Sequence, residues 1–244
     1  MKESSLSKKI VSWMKRQVKA SGAQGIVIGL SGGVDSSVVA ALAVRAAGKK
    51  KVCGLILPCY SNQDDRRHAA KVARMLGIRV KTIDLAKVFD PLCALLPRAH
   101  RLARSNLKPR LRMLVLYYYA NALNYLVAGT GNRSELMVGY FTKYGDGAVD
   151  ILPIAGLLKK EVVMLARELG IPEEIITKPP SAGLWDAQTD EGEMGMSYAE
   201  LDDILERLGR GCRQRAPRPQ VAKVNRMIRA SGHKRRMPQI GPVP

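Results

Sequence analysis

Asp35 is a carboxylate in a place built for anions. It lies within Gly29-Leu30-Ser31-Gly32-Gly33-Val34-Asp35-Ser36-Ser37, between the apolar runs Ile26-Val27-Ile28 and Val38 to Ala47. Glycines without a Cβ let backbone N–H groups close on a phosphate and tolerate positive φ. Ser31, Ser36 and Ser37 add hydroxyls, and a helix opening near Ser36 aims its unpaired N–H groups and positive dipole end at the same point. The stretch reads as strand, turn and helix around an anion. A carboxylate there repels phosphate unless a divalent cation lies between, so Asp35 is read as a ligand of Mg²⁺ on a nucleotide pyrophosphate. The bland alternative, a glycine turn with a capping Asp, leaves the clustered hydroxyls unexplained. No Lys occurs between Gly25 and Gly48, which excludes a Walker A loop.

The Ser-Gly-Gly-x-Asp-Ser pattern resembles the PP-loop of the ATP pyrophosphatases, which split ATP into AMP and pyrophosphate while activating an oxygen. Further motifs narrow the resemblance. Gly129-Thr130-Gly131-Asn132-Arg133-Ser134-Glu135, the run Gly139 to Gly147 with Asp150, Lys178-Pro179-Pro180-Ser181-Ala182-Gly183-Leu184, and the terminal His233-Lys234-Arg235 resemble those of ammonia-dependent NAD synthetases. They stand in that family's order, so the resemblance covers nearly the whole chain. It implies attack of the nicotinate carboxylate of deamido-NAD on the α-phosphate of ATP, then displacement of AMP from the NAD-adenylate by ammonia.

Carried over residue by residue, the resemblance implies that Gly29, Leu30, Ser31, Gly32, Gly33, Val34, Asp35, Ser36, Thr130, Lys159 and Ser181 bind ATP. Ser181 replaces the family's usual Thr and keeps the hydroxyl. Glu135 joins Asp35 on Mg²⁺, although as a residue type it also suits a helix N-terminus. Lys159 neutralises charge as pyrophosphate leaves, while Lys159-Lys160-Glu161 on residue type alone equally fits a solvated helix face. Arg110, Lys143, Asp150, His233 and Lys234 are implied to bind deamido-NAD at a homodimer interface. No protein nucleophile is expected.

These residues need a scaffold. Apolar strand-like runs alternating with helical patterns predict a doubly wound, mostly parallel α/β sheet with helices on both faces, of the adenine nucleotide alpha hydrolase type that goes with a PP-loop. Ile10, Trp13, Met14, Gln17 and Val18 fall at helical spacing. Val52–Leu57 and Arg79–Asp84 are read as strands, and Asn62–Leu76 as a helix with Gly77 at its C-cap. Residues 84–106 read as a crossover broken by Pro91 and Pro97. A helix over Leu107–Leu126 carries an apolar stripe of Leu111, Leu114, Val115, Tyr118, Ala122 and Tyr125, followed by a strand over Leu126–Gly129. A helix is expected over Leu157–Leu169, a long loop over 178–196 that the family resemblance makes a lid ordering over ATP and substrate, and a capping box at Ser197 and Glu200.

The 244 residues suit one domain, 1–244, with a basic helical part from about 198. A formal net charge of +19 predicts an anionic partner without choosing which. Arg207, Arg210, Arg213, Arg215, Arg218, Lys223, Arg226 and Arg229 read as a solvated basic face, and nucleic acid is not expected there. Cys53, Cys59, Cys93 and Cys212 lack zinc or redox spacing, and no stretch is clean enough to span a bilayer, so a reduced, cytoplasmic setting is expected. No segment is long enough for an amidotransferase, so glutamine would serve only through a separate ammonia-supplying glutaminase. A PP-loop enzyme that modifies tRNA is the competing enzyme class, and a non-catalytic nucleotide-binding module the third.

Overall fold

The computed structural model describes residues 4–185, 187–209 and 218–242; Cys212, Arg210, Arg213 and Arg215, and the side chain of Arg218, lie outside this description. Helix α1 (Ser5–Ala20) opens on Ser4 and buries Ile10, Val11 and Met14. Strand β1 (Gly25–Gly29), α2 (Val34–Ala47), β2 (Val52–Ile56), α3 (Gln63–Leu76) and β3 (Arg79–Thr82) follow in alternation. Local chemistry sets the ends of α3. Asn62 Oδ1 accepts from Asp64 N at 3.0 Å, and Gly77 closes the helix with φ of 63°, a left-handed turn that glycine makes without steric cost.

The chain then crosses back through α4 (Ala86–Leu95), α5 (Arg101–Ser105) and α6 (Leu107–Leu123) to β4 (Tyr125–Val127). The broken crossover is therefore two helices, with Pro91 inside the first. Helix α6 ends three residues earlier than expected because Asn124 turns left-handed and returns its N–H to the last turn. Beyond β4 come α7 (Arg133–Val138), α8 (Lys159–Glu168), α9 (Glu173–Ile176), α10 (Asp190–Met194), α11 (Tyr198–Gly209) and α12 (Arg218–Ala230).

The four strands pair in parallel in the order β3-β2-β1-β4, and a bridge from Ala128 to Ile151 extends the β4 edge. Strand order runs outward from β1 through β2 and β3, then restarts on the other side with β4. At such a switch point the connections leave on opposite sides and a crevice opens at the carboxyl ends of the strands. Gly29, the last residue of β1, leads into it.

Side-chain alternation along β1 divides the core. Ile26 and Ile28 pack with Val38 and Leu42 of α2, Val72 of α3 and Leu165 of α8, whereas Val27 packs on the opposite face with Phe89 of α4 and Leu111 and Ala120 of α6. A third cluster joins Val138 and Leu158 to Met194, Leu201, Leu205 and Val224, seating the C-terminal helices beside the crevice. The stripe expected on α6 is corrected here. Leu111 and Ala120 bury, while Leu114 and Tyr118 are 59% and 70% exposed, because Leu116 and Tyr119 turn toward the sheet instead. Among the described residues no helix is long and apolar enough to cross a membrane.

Candidate active site

The crevice is a cavity of about 710 Å³. Its floor is the loop from Gly29 to Asp35. Gly33 caps α2 without a side-chain acceptor, so the first N–H groups of the helix stay free for an anion. The hydroxyls behave differently from one another. Ser36 and Ser37 donate to Gly33 O at 3.0 and 2.8 Å, bracing the turn, while Ser31 is exposed and paired with Ser36 Oγ at 3.0 Å. Gly32 has φ of 81°, and a Cβ there would stand 2.2 Å from Asp65 O. Only glycine fits, so α3 backs the loop directly.

Asp35, Glu135 and Lys159 meet at one point. Lys159 Nζ forms an ion pair with Asp35 Oδ2 and lies 3.9 Å from Glu135 Oε1. Asn132 joins them: its Nδ2 donates to Asp35 Oδ1 at 3.1 Å, and its Oδ1 accepts from Glu135 N at 3.0 Å. Glu135 Oε2 returns the contact by accepting from Asn132 N. Glu135 is thus both a helix-capping residue, through Oε2, and a ligand candidate, through Oε1.

The electrostatics follow from burial. The Glu135 carboxyl is pushed up to about 8, first by desolvation and next by the Asp35 charge. Burial alone would pull the Lys159 ammonium down, but Asp35 and Glu135 outweigh it and raise it. Two acidic groups are therefore held together at a cost that a cation relieves. This fits a Mg²⁺ site of two carboxylates completed by phosphate oxygens, and among the described residues no group of three or more protein ligands forms a metal cage.

Around this centre stand residues that sequence reasoning did not single out. The Tyr198 hydroxyl lies 3.2 Å from Glu135 Oε1 and 3.1 Å from Asp190 Oδ2, with one proton to give to either, and burial followed by the Glu135 charge keeps its phenol protonated. Tyr140 OH reaches Asp190 at 3.0 Å and Glu193 at 2.6 Å. Asp202 accepts from Ser134 Oγ and, at 2.9 Å, from Lys160 N; Ser134 Oγ in turn accepts from Lys159 N at 3.0 Å. The N-terminus of α8, which carries Lys159, is capped from α11. None of these contacts has a local sequence signal, except Asn132 three residues before Glu135, which has capping-box spacing.

The structure brings Gly29, Leu30, Ser31, Gly33, Val34, Asp35, Thr130, Glu135, Lys159 and Ser181 to the cavity wall together with Arg110, Lys143, His233 and Lys234. Gly32 and Ser36 lie behind that wall. Asp150 is placed outside it: Oδ2 accepts from Val127 N at 2.7 Å and Oδ1 from Tyr117 OH at 3.0 Å. Lys234 Nζ donates to Gly139 O and Phe141 O at 2.8 and 2.7 Å, holding the Gly139–Gly147 run in place. Arg110 Nη2 reaches Lys143 O at 3.3 Å. Within the loop expected over 178–196, Thr189 caps the short helix α10.

The NAD synthase family model matches residues 6–238. The chain belongs to the NAD synthase family. It is 48% identical over 239 residues to the NH3-dependent NAD⁺ synthetase of Carboxydothermus hydrogenoformans, covering 96% of each chain. Among solved structures it is similar to an NMN synthetase from Francisella tularensis, with a TM-score of 0.90, 38% identity and 98% of each chain covered. It is similar as well to an NH3-dependent NAD synthetase from Campylobacter jejuni in complex with nitrate, at a TM-score of 0.84, 31% identity and coverage of 97% and 98%. As an NAD synthase family member the chain is a ligase that uses ATP, and this membership sets aside the tRNA-modifying reading.

Proposed function

We propose that this NAD synthase family chain amidates deamido-NAD with ammonia, consuming ATP and releasing AMP and pyrophosphate. The convergence of Asp35, Glu135 and Lys159 at the mouth of a glycine loop with free helix N–H groups carries this reading. The loop from Gly29 to Ser36, with Thr130 and Ser181, holds ATP. Asp35 and Glu135 hold Mg²⁺, which neutralises phosphate charge when bound. The nicotinate carboxylate attacks the α-phosphate, the bond to the β-phosphate breaks, and pyrophosphate leaves toward Lys159. Ammonia then adds to the adenylated carbonyl, its nitrogen gives up one proton to solvent, and AMP departs with the C–O electron pair. Positioning two polyanions and balancing their charge supplies the rate, with no covalent enzyme intermediate.

Arg110, Lys143, His233 and Lys234 serve deamido-NAD, and Asp150 serves it indirectly by tying Tyr117 of α6 to Val127 of β4. The cavity of about 710 Å³ is within the range of ligand pockets and reaches α6 at Arg110. Deamido-NAD extends over the α6 face around Arg110, where exposed Leu114 and Tyr118 suit the partner of a homodimer. The protein acts in the cytoplasm on free ammonia or ammonia from a separate glutaminase.

The Francisella relative is described as an NMN synthetase, so the mononucleotide is the rival acceptor. Purified protein given ATP, Mg²⁺ and ammonium is to be supplied with deamido-NAD or nicotinate mononucleotide in parallel. A higher kcat/KM for the dinucleotide supports the proposal, and a higher value for the mononucleotide replaces it.

A further inference from the structure

Lys178 and Asp65 form an ion pair across 113 residues of sequence. Asp65 lies in the first turn of α3, and its carbonyl backs Gly32 of the phosphate loop. Lys178 begins the segment that carries Ser181. Both side chains are about one quarter exposed, so the pair is partly shielded from water and salt.

The intervening sequence makes this contact matter for the site. Pro179 and Pro180 follow Lys178 directly, and their rings fix φ, so the direction of the chain at Lys178 is passed on to Ser181 with little freedom. The far side is tied as well: Pro180 O accepts from Asp190 N at 3.1 Å. Farther on, Lys108 Nζ donates to Leu184 O at 2.7 Å, and the Arg101 guanidinium stands 4.5 Å from the centre of the Trp185 ring. The segment is thus pinned at its root by Lys178 and at its tip by Lys108 and Arg101.

We propose that Lys178 is a positioning residue: its ion pair with Asp65 fixes the Pro179-Pro180 arm so that Ser181 closes over ATP lying on the Gly29–Ser36 loop. Lys178 acts through the arm and not on the reacting atoms. The ATP part of this inference rests on the proposed function, whereas the closure itself does not.

The test uses the full chain with Trp13→Phe, which leaves Trp185 as the sole reporter of the two tryptophans. Acrylamide quenching of Trp185 should rise about twofold in Lys178→Met and in Asp65→Asn, and return toward the parent value in the charge-exchanged pair Asp65→Lys with Lys178→Asp. In the same proteins KM for ATP should rise about fivefold, the scale of a partly exposed ion pair, with kcat within about twofold and KM for deamido-NAD unchanged. Lys178→Arg should keep the parent KM. Unchanged quenching in both single variants, or an exchanged pair no better than either, overturns the proposal. Quenching that rises while KM for ATP stays put overturns the link to ATP, and a parent protein that makes no NAD overturns the assigned reaction while quenching still decides the closure.

Discussion

Asn132 donates to Asp35 across 97 residues of sequence while its amide oxygen caps the helix that presents Glu135. One side chain therefore sets the relation between the two carboxylates assigned to the metal. Asn132→Ala removes both contacts. Removal of a residue that orients metal ligands costs about 10- to 100-fold in metal affinity, so Mg²⁺ titrations of turnover should shift to higher concentration by that order. An unshifted titration would mean that the carboxylates hold their geometry without it.

Asp202 is 1% exposed and reaches α8 from α11 through Ser134 and Lys160 N. Asp202→Ala leaves the buried Ser134 hydroxyl without its acceptor and the N–H of Lys160 without its cap. An unsatisfied buried group costs about 1–3 kcal/mol, and denaturant unfolding should register that loss. Activity should fall with it, since Lys159 is carried on the same turn. A change below about 0.5 kcal/mol, the range of ordinary surface substitutions, would show the cap to be dispensable.

The pH dependence has a definite sign. Glu135 titrates at about 8 when folded and near 4.5 without its surroundings. Between those values the folded chain keeps a proton that the unfolded chain has released, so stability in chelator falls as pH rises through that window. Glu135→Gln should flatten this part of the melting curve. Because metal requires the deprotonated carboxylate, Mg²⁺ with ATP should raise Tm more at pH 8 than at pH 6. Parallel curves for parent and variant would remove Glu135 as the titrating group.

What was legible in the sequence was what neighbouring residues decide. The Gly29–Ser37 turn, the Gly77 cap of α3 and the Ser197–Glu200 box, closed by Ser197 N to Glu200 at 2.8 Å, are short-range chemistry and appear where expected. Contacts made by packing were not legible. Tyr198, Asp190 and Asp202 come from elements that meet only when the third cluster forms, and the Asp65–Lys178 pair joins α3 to the segment after α9 across 113 residues of sequence. The α6 stripe was misread because apolar residues surround that helix, and periodicity alone does not tell the sheet-facing Leu116 from the exposed Leu114. The short helix α10 is signalled only by Thr189 before Asp190 and Glu191, a cap hidden among Pro and Gly.

The exposed Leu114 and Tyr118 on α6 predict a dimer in solution. Light scattering should give twice the chain mass of 26.7 kDa. Leu114→Glu with Tyr118→Glu should yield monomers with KM for deamido-NAD raised at least tenfold. A monomeric parent with full activity would place the whole dinucleotide site within one chain.

The most direct measurement of the central claim is product analysis of the purified protein with ATP, Mg²⁺ and deamido-NAD, supplied with either ammonium or glutamine. The account predicts NAD, AMP and pyrophosphate in equal amounts with ammonium, no NAD with glutamine alone, and loss of product in Asp35→Ala with Glu135→Ala. Absence of NAD with ammonium, or ADP and phosphate in place of AMP and pyrophosphate, would contradict it.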